Sequence, residues 1–201
     1  MCDLVAAIAL VKTGRVAAVW ILIVVLILVV LVLIYLVAAY NGLIRRRNQI
    51  ENAWSQIDVQ LKRRHDLIPN LVETVKGYAA HERETLDAVI KARNAAVGAH
   101  SPSEQAAAEG QLTGTLRQLF ALGEAYPDLK ANQNFLALQE ELSATEGRVA
   151  YARQFYNDSV LGYNNKLQQF PTMYFARMLK FDRREYFEAD EAARSAPTVD
   201  F

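Results

Sequence analysis

The sequence has few of the residues that bind metal ions, form disulfides or react with substrates. Among its 201 residues there are three histidines and one cysteine, Cys2. One thiol cannot form an internal disulfide, so the fold does not rely on an oxidising compartment. Each histidine lacks the glutamate three residues earlier that di-metal bundles use, and residues 81–85 (HERET) have threonine where a zinc protease motif has its second histidine. We therefore expect no metal site.

Motifs for nucleotide and acyl-transfer chemistry are also missing. The sequence contains no glycine-rich phosphate loop and no nucleophile elbow. Ser55 and His65 lie too far apart along one predicted helix to form a serine–histidine hydrogen bond. The sequence therefore predicts no catalytic residue, no cofactor and no enzymatic activity.

Charge is balanced over the whole chain but absent from one long stretch. The 22 basic residues offset 22 acidic ones, so the net charge gives no reason to expect nucleic acid as a partner. Residues 16–44 carry no charge at all. Without that run and the residues before it, roughly 160 residues remain, which is enough for one domain with a buried core.

Residues 16–39, VAAVWILIVVLILVVLVLIYLVAA, are nearly all aliphatic. A helix of this length exceeds the roughly 30 Å of bilayer hydrocarbon, and helix is the only form open to a single span. The alternative is a cleaved signal peptide, with Lys12 and Arg15 as its basic region and a cleavage site before Tyr40. Because the apolar run exceeds the roughly 7–15 residues of such peptides, we interpret it as a retained transmembrane helix that follows a short tail at residues 1–15.

The flanks of this segment predict how it sits in a membrane. Aromatic rings with a polar edge favour the membrane interface, and arginines just beyond it can contact anionic headgroups. The residues predicted at the interface are Trp20, Tyr35, Tyr40, Arg45, Arg46 and Arg47. Basic residues are more numerous after the segment than before it, which predicts a single-pass cell-membrane protein with its N-terminus outside and its large domain in the cytoplasm. The lipid bilayer is therefore one predicted partner.

Beyond the apolar segment, apolar residues recur at the helical spacing of three and four. The pattern stays in phase through Pro69, which favours a kink, although a new helix with Asp66 as its N-cap is the alternative. No segment alternates with period two, so the predicted fold class is all-α, with a transmembrane helix followed by an antiparallel bundle of about four long helices at residues 40–170. The predicted bundle core comprises Ile50, Trp54, Ile57, Leu61, Ile68, Val72, Phe135, Leu138, Leu142 and Val149.

Several polar residues on the same helices have two interpretations. They either pair across the bundle and fix its register, or they contact a partner. This set comprises Asp58, Arg64, Asp66, Asn70, Arg148 and Arg153. His65, together with Asp66, is predicted to form a polar kink region on a solvated face.

Residues 171–201 are rich in aromatic side chains. They predict a short helix near residues 174–179, packing of this segment on the bundle, and a flexible end. If the aromatic side chains do not pack on the end of the bundle, they leave an apolar patch for a partner or for self-association.

The chain from Tyr40 onward resembles the LemA family. The resemblance is carried by residues 40–86 (YNGLIRRRNQIENAWSQIDVQLKRRHDLIPNLVETVKGYAAHERETL), residues 124–171 (EAYPDLKANQNFLALQEELSATEGRVAYARQFYNDSVLGYNNKLQQFP) and residues 181–188 (FDRREYFE). It implies a membrane-anchored antiparallel helical bundle with an outside N-terminus and a cytoplasmic domain. It implies no reaction and no catalytic residues. One member of the family serves magnetosome membranes, which suggests a membrane-organising task.

Together these patterns predict a membrane-anchored, non-catalytic helical scaffold or adaptor. Its expected partners are the bilayer, a second copy in a homo-oligomer, or another membrane protein. The alternatives are an accessory subunit of a membrane enzyme such as a protease, and a coat that remodels membranes.

Overall fold

The computed structural model of the protein describes the backbone of residues 2–187 and the side chains of residues 20–187. Within that range the chain forms six helices and no strand, which confirms the predicted all-α fold. The helices are α1 (Cys2–Lys76), α2 (Arg83–Val97), α3 (Pro102–Ala125), α4 (Pro127–Lys130), α5 (Gln133–Gln168) and α6 (Thr172–Met178). Residues 188–201, where the predicted flexible end falls, and the side chains of Lys12 and Arg15 lie outside the described residues.

Helix α1 runs without a break from the apolar segment to the far end of the bundle, and Pro69 lies inside it. A proline removes the hydrogen bond to the carbonyl four residues earlier, here that of His65. Arg93 of α2 compensates, because its Nε donates to the His65 carbonyl oxygen at 3.2 Å. The Pro69 ring itself is exposed. The alternative of two helices divided at Asp66 is therefore wrong.

The bundle has two apolar cores stacked along α1 and α5. The distal half, far from the apolar segment, has four helices in cross-section. Its core residues from α1 and α5 are Ile68, Leu71, Val72, Val75, Phe135 and Leu142, and those from α2 to α4 include Leu86, Val89, Leu112, Leu116, Leu119 and Leu129. The proximal half consists of α1, α5, α6 and the extended residues 181–187, which we call the strap. Its core comprises Leu43, Ile50, Ala53, Ile57, Leu61, Val149, Ala152, Tyr156, Val160, Tyr163, Leu167, Ala176 and Phe187.

The connection from α2 to α3 is fixed by a capping box. The Ser101 hydroxyl accepts from the Glu104 backbone N–H at 3.2 Å, and the Glu104 carboxylate accepts from the Ser101 N–H at 3.3 Å. Pro102 stands at the first helical turn, where its missing N–H costs nothing. The cap turns the chain at mid-height of the bundle, so α2 and α3 cover mainly the distal half.

The predicted core residues occupy interior positions along α1 and α5. Buried positions are Ile50, Ile57, Leu61, Ile68, Val72, Phe135, Leu142 and Val149. Trp54 and Leu138 are half-buried and pack against these cores. The predicted bundle range extends to residue 170, but α5 ends at Gln168 and the Phe170 side chain is 78% exposed.

Candidate functional site

The described side chains of the apolar part of α1, from Trp20 to Ile34, are all exposed. None of its most apolar 18-residue window is buried, and the helix is long and apolar enough to cross a membrane. Trp20 is 63% exposed, whereas burial begins at Ala39 and Leu43. The predicted headgroup contacts, Arg45 to Arg47, are exposed on α1 just beyond that point. The boundary between the bare helix and the bundle therefore lies at residues 35–43.

Helix α6 packs against α1 at this boundary. The Tyr35 and Thr172 hydroxyl oxygens are 3.2 Å apart. The Tyr35 ring lies 6.3 Å from the Phe175 ring, and the Tyr40 ring lies 6.0 Å from the Phe181 ring. These contacts place α6 at the height where α1 leaves its apolar segment, and they leave Tyr35 and Tyr40 only partly exposed.

Two asparagines of α5 bind the backbone of the strap. The Asn164 side chain donates to the Arg184 carbonyl oxygen at 2.9 Å and accepts from the Arg184 N–H at 3.0 Å. Asn157 makes the same pair of bonds with Phe187, at 3.0 and 2.8 Å. Each amide thus satisfies both polar groups of one strap residue, as a neighbouring β-strand would.

A tyrosine precedes each asparagine and adds a third bond. The Tyr163 hydroxyl donates to the Asp182 carbonyl oxygen at 3.2 Å, and the Tyr156 hydroxyl donates to that of Glu185 at 3.0 Å. Burial raises the pKa of both tyrosines, which keeps their hydroxyl groups protonated and able to donate. The two Tyr–Asn pairs hold residues 182–187 through backbone atoms alone.

The spacing of the two pairs explains why an extended segment fits them. They lie seven residues apart on α5, which is about 10.5 Å of helix rise. Their targets lie three residues apart on the strap, which is about 10 Å of extended chain. We call these four residues, Tyr156, Asn157, Tyr163 and Asn164, the clamp. The repeat YN-x5-YN in residues 156–164 is its sequence signal, and sequence reasoning missed it.

Phe187 ends the strap inside the proximal core. Its side chain is fully buried, with its ring centroid 6.2 Å from that of Trp54. The Arg153 guanidinium carbon lies 4.5 Å from the same ring centroid, within the range of a cation–π contact. Burial lowers the pKa of Arg153, and the Glu109 carboxylate opposes that shift. The strap is thus anchored by an aromatic side chain at its end and by hydrogen bonds along its length.

A second polar cluster is buried between α1 and α3. The Glu109 carboxylate accepts from Arg64 Nη1 at 2.8 Å and from His65 Nε2 at 2.7 Å. Gln105 Nε2 lies 3.2 Å from the same carboxylate and 3.1 Å from the Ala96 carbonyl oxygen, while Arg64 Nη2 donates to the Thr113 hydroxyl at 2.8 Å. The side chains of the Arg64–Glu109 pair are 4% exposed, so this ion pair is shielded from solvent.

This cluster corrects the sequence interpretation of the polar residues on α1. His65 was expected on a solvated face, but it is buried against Glu109. The missed signal is the step of seven between Leu61 and Ile68 in the apolar stripe. Arg64 and His65 fill that gap, so they face the interior like their apolar neighbours one turn away.

The other members of the predicted pairing set lie elsewhere. Asp58, Asp66 and Asn70 are exposed on α1, and none of them forms an ion pair with Arg148 or Arg153 among the described residues. Arg148 lies 3.5 Å from the Glu141 carboxylate on its own helix. Within the described residues 20–187, Arg64 is the one member of the predicted set with an ion-pair partner across the bundle. That partner, Glu109, was missed because it follows an alanine run with no apolar period.

A groove of ≈ 570 Å³ opens on the surface between α1 and α5. Its α1 wall includes Gln56 and Val59, and its α5 wall includes Gly147 and Tyr151. Val59 is 61% exposed and Tyr151 is 74% exposed, so two large apolar side chains flank it. In the part of the chain that the structure describes, no three His, Cys, Asp or Glu side chains converge as a metal site would need.

Comparison with known proteins places this geometry in a family. The family model described as LemA family matches residues 53–201, which include α2 to α6, the clamp and the strap. Protein LemA of Metamycoplasma hominis is 32% identical, over 79% of this chain and 73% of the relative. Magnetosome protein MamQ 2 of Paramagnetospirillum magneticum and magnetosome protein MamQ of Magnetospirillum gryphiswaldense are each 25% identical, over 82% of this chain and 70% of the relative. The chain therefore belongs to the LemA family.

Proposed function

We propose that this protein is a non-catalytic scaffold or adaptor, anchored in the cell membrane by one span, with its N-terminus outside and its bundle in the cytoplasm. The observation that carries the proposal is the continuity of α1, which links an exposed apolar stretch of helix to the bundle without a loop. Such a connection holds the bundle at a fixed height above the lipid. The similarity to magnetosome proteins fits a membrane location.

The non-catalytic part is supported by how the buried polar groups are used. Both carboxylate oxygens of Glu109 are occupied by partners within the fold, and its side chain is 4% exposed. The clamp asparagines use donor and acceptor alike on the strap backbone. Groups bound in this way hold the fold together and are not free to act on a substrate.

The groove between α1 and α5 is the surface we assign to self-association. Anchoring by one span in one orientation puts the groove of every copy at the same height above the bilayer. Val59 and Tyr151 of a second copy can then meet the same residues across a two-fold axis, as a symmetric dimer requires. The assembled scaffold is therefore a homo-oligomer with parallel spans.

Anchoring and orientation can be tested together, because the chain has one cysteine. In sealed vesicles of known sidedness, a membrane-impermeant maleimide should label native Cys2 only from outside. In a Cys2→Ser background, Glu73→Cys should react only from the cytoplasmic side. The opposite labelling pattern would show the reverse topology. Release of the intact chain by a carbonate wash would contradict the proposed anchor.

Self-association can be tested by crosslinking the same cysteine-free background in native membranes. Gln56→Cys lies in the groove, whereas Lys91→Cys is exposed on α2, which does not line the groove. A short bis-maleimide should convert the groove variant, and not the control, into a covalent dimer. Equal yields from both variants would place the contact elsewhere. A purified full-length protein with a turnover that one substitution abolishes would contradict the non-catalytic assignment.

A further inference from the structure

The segment after α5 presents an apolar face that the bundle does not cover. Tyr174 and Met178 are four residues apart on α6, so they project on one side of it. Phe170 precedes the helix, and its ring centroid lies 6.1 Å from that of Tyr174. The exposed fractions of Phe170, Tyr174 and Met178 are 78%, 58% and 71%. We call these three residues the foot. A cluster of large apolar side chains with such exposure is unusual on a surface that faces only water.

The foot lies beside the point where α1 leaves its apolar segment. Thr172 and Phe175, on the packed side of α6, contact Tyr35 of α1. The apolar sequence ends only a few residues after Tyr35, and one helical turn rises about 5.4 Å. When α1 spans a bilayer, α6 is therefore held within the headgroup layer. On each side of the hydrocarbon this layer is about 5–8 Å thick.

We propose that the foot inserts into the headgroup layer of the membrane that α1 crosses, as a second lipid contact of the same molecule. The inference rests on the proposed anchor. Aromatic residues and methionine suit the boundary between headgroups and acyl chains. Exposed Arg177 and Lys180 next to the foot carry charge that anionic headgroups attract.

The two lipid contacts have different roles. The span fixes the height of the bundle, but a single helix can rotate about its own axis in the bilayer. The foot lies to one side of that axis, so its insertion selects one rotation and one lean of the bundle. The groove between α1 and α5 then has a defined direction relative to the membrane plane.

A depth measurement in nanodiscs tests the inference. Single cysteines are introduced into the full-length Cys2→Ser protein and labelled with bimane, a fluorophore whose emission depends on polarity. Each nanodisc holds one chain in a bilayer of phosphatidylcholine and phosphatidylglycerol. Tyr174→Cys reports the foot, Leu28→Cys reports the span, and Glu73→Cys, with a side chain that is 74% exposed at the far end of α1, reports solvent. The probe lipid carries a spin label near its headgroup, and a second preparation carries it deep in the acyl chain.

The expected result is a blue-shifted emission at residue 174 that the shallow spin label quenches, with quenching at residue 28 by the deep label and none at residue 73. Met178→Cys should behave like Tyr174→Cys, which guards against a local defect in either variant. Quenching at residue 28 without quenching at residues 174 and 178 would overturn the foot and leave the anchor intact. Loss of quenching at residue 28 would overturn the anchor itself. A blue shift at residue 174 that needs two or more chains per disc would assign the face to a second copy instead.

Discussion

The distal and proximal halves of the bundle cover the same two helices, α1 and α5, with different kinds of segment. In the distal half, α1 and α5 are covered by two further helices whose leucines and valines fill the interior. In the proximal half, α3 contributes only Ala106 near its start, and an extended strap of seven residues provides most of the cover. A charged cluster is buried at the junction of the two halves, whereas the proximal half uses amides and hydroxyls to hold a backbone.

This difference shows that a covering helix and a covering strap place different requirements on the sequence. A covering helix must supply apolar side chains at every turn, because its own backbone is already bonded internally. The strap needs help with its backbone, and α5 supplies it at residues 156, 157, 163 and 164. Most strap side chains therefore remain exposed, with Phe187 the buried exception.

The largest expected effect comes from breaking the charged cluster at the junction of the two halves. Glu109→Gln leaves the buried Arg64 guanidinium without its counter-charge, and such a loss costs about 3–5 kcal/mol. The free energy of opening of α2 and α3, measured by hydrogen exchange on the full-length protein in detergent, should fall by that amount. Strap amides should change much less.

The exposed pair of Arg63 and Glu141 is the matched control. Its nitrogen–oxygen distance is 2.7 Å, but the Arg63 side chain is 55% exposed. Arg63→Gln should therefore cost less than about 1 kcal/mol. Replacing both members of the buried pair, Arg64→Met with Glu109→Leu, should recover much of the lost stability. Equal losses from the buried and exposed single variants would contradict the assigned role of burial.

A smaller effect is expected from opening the clamp. Asn164→Leu removes two hydrogen bonds to the strap, worth about 1 kcal/mol each. Trypsin should then cut faster after Arg183 and Arg184 in the full-length protein, while α2 and α3 keep their hydrogen-exchange protection. Neighbouring Asn165, which is exposed, provides the control Asn165→Leu. If both variants are cut at the rate of the unmodified chain, the clamp does not hold the strap.

Effects of similar or smaller size separate a tightly packed glycine from an open one. A methyl group at Gly123 of α3 would lie 2.7 Å from Phe135 Cζ, so Gly123→Ala should destabilise the distal half by about 1–3 kcal/mol. Gly147 of α5 has nothing within 4 Å of the same position. Gly147→Ala should therefore stabilise α5 by about 0.5–1 kcal/mol through helix propensity alone. Thermal unfolding in detergent measures both, and a gain at Gly123 would show that Phe135 can move aside.

The helices could be predicted from sequence because a buried helical stripe repeats at a period that no loop or strand imitates. Ile50, Ile57, Val72 and Val149 follow that period and are buried. Glu109 could not be predicted, since its neighbours are small or polar and its partners lie 44 and 45 residues away. Distances of that kind depend on how two helices are aligned, which spacing within one helix does not encode.

The C-terminal segment illustrates the same limit. The short helix expected near residues 174–179 is present as α6, and Phe175 and Phe181 pack at the end of the bundle. Phe170 and Tyr174 do not pack there, although composition gives all four the same preference for burial. Which aromatic faces inward depends on where α5 ends and on the direction of the turn after it.

In the proposed anchored state, the unbroken course of α1 also means that a tilt of the span moves the far end of the bundle. From Tyr40 to Lys76 the helix extends about 54 Å, and single spans commonly lean by about 20°. A change of ten degrees in that lean swings the tip sideways by about 9 Å. Thinner or thicker lipid, which alters the angle of a long span, would therefore be converted into lateral displacement far from the membrane. Spin-label distances between the tips of paired copies, compared in bilayers of two thicknesses, would register that swing.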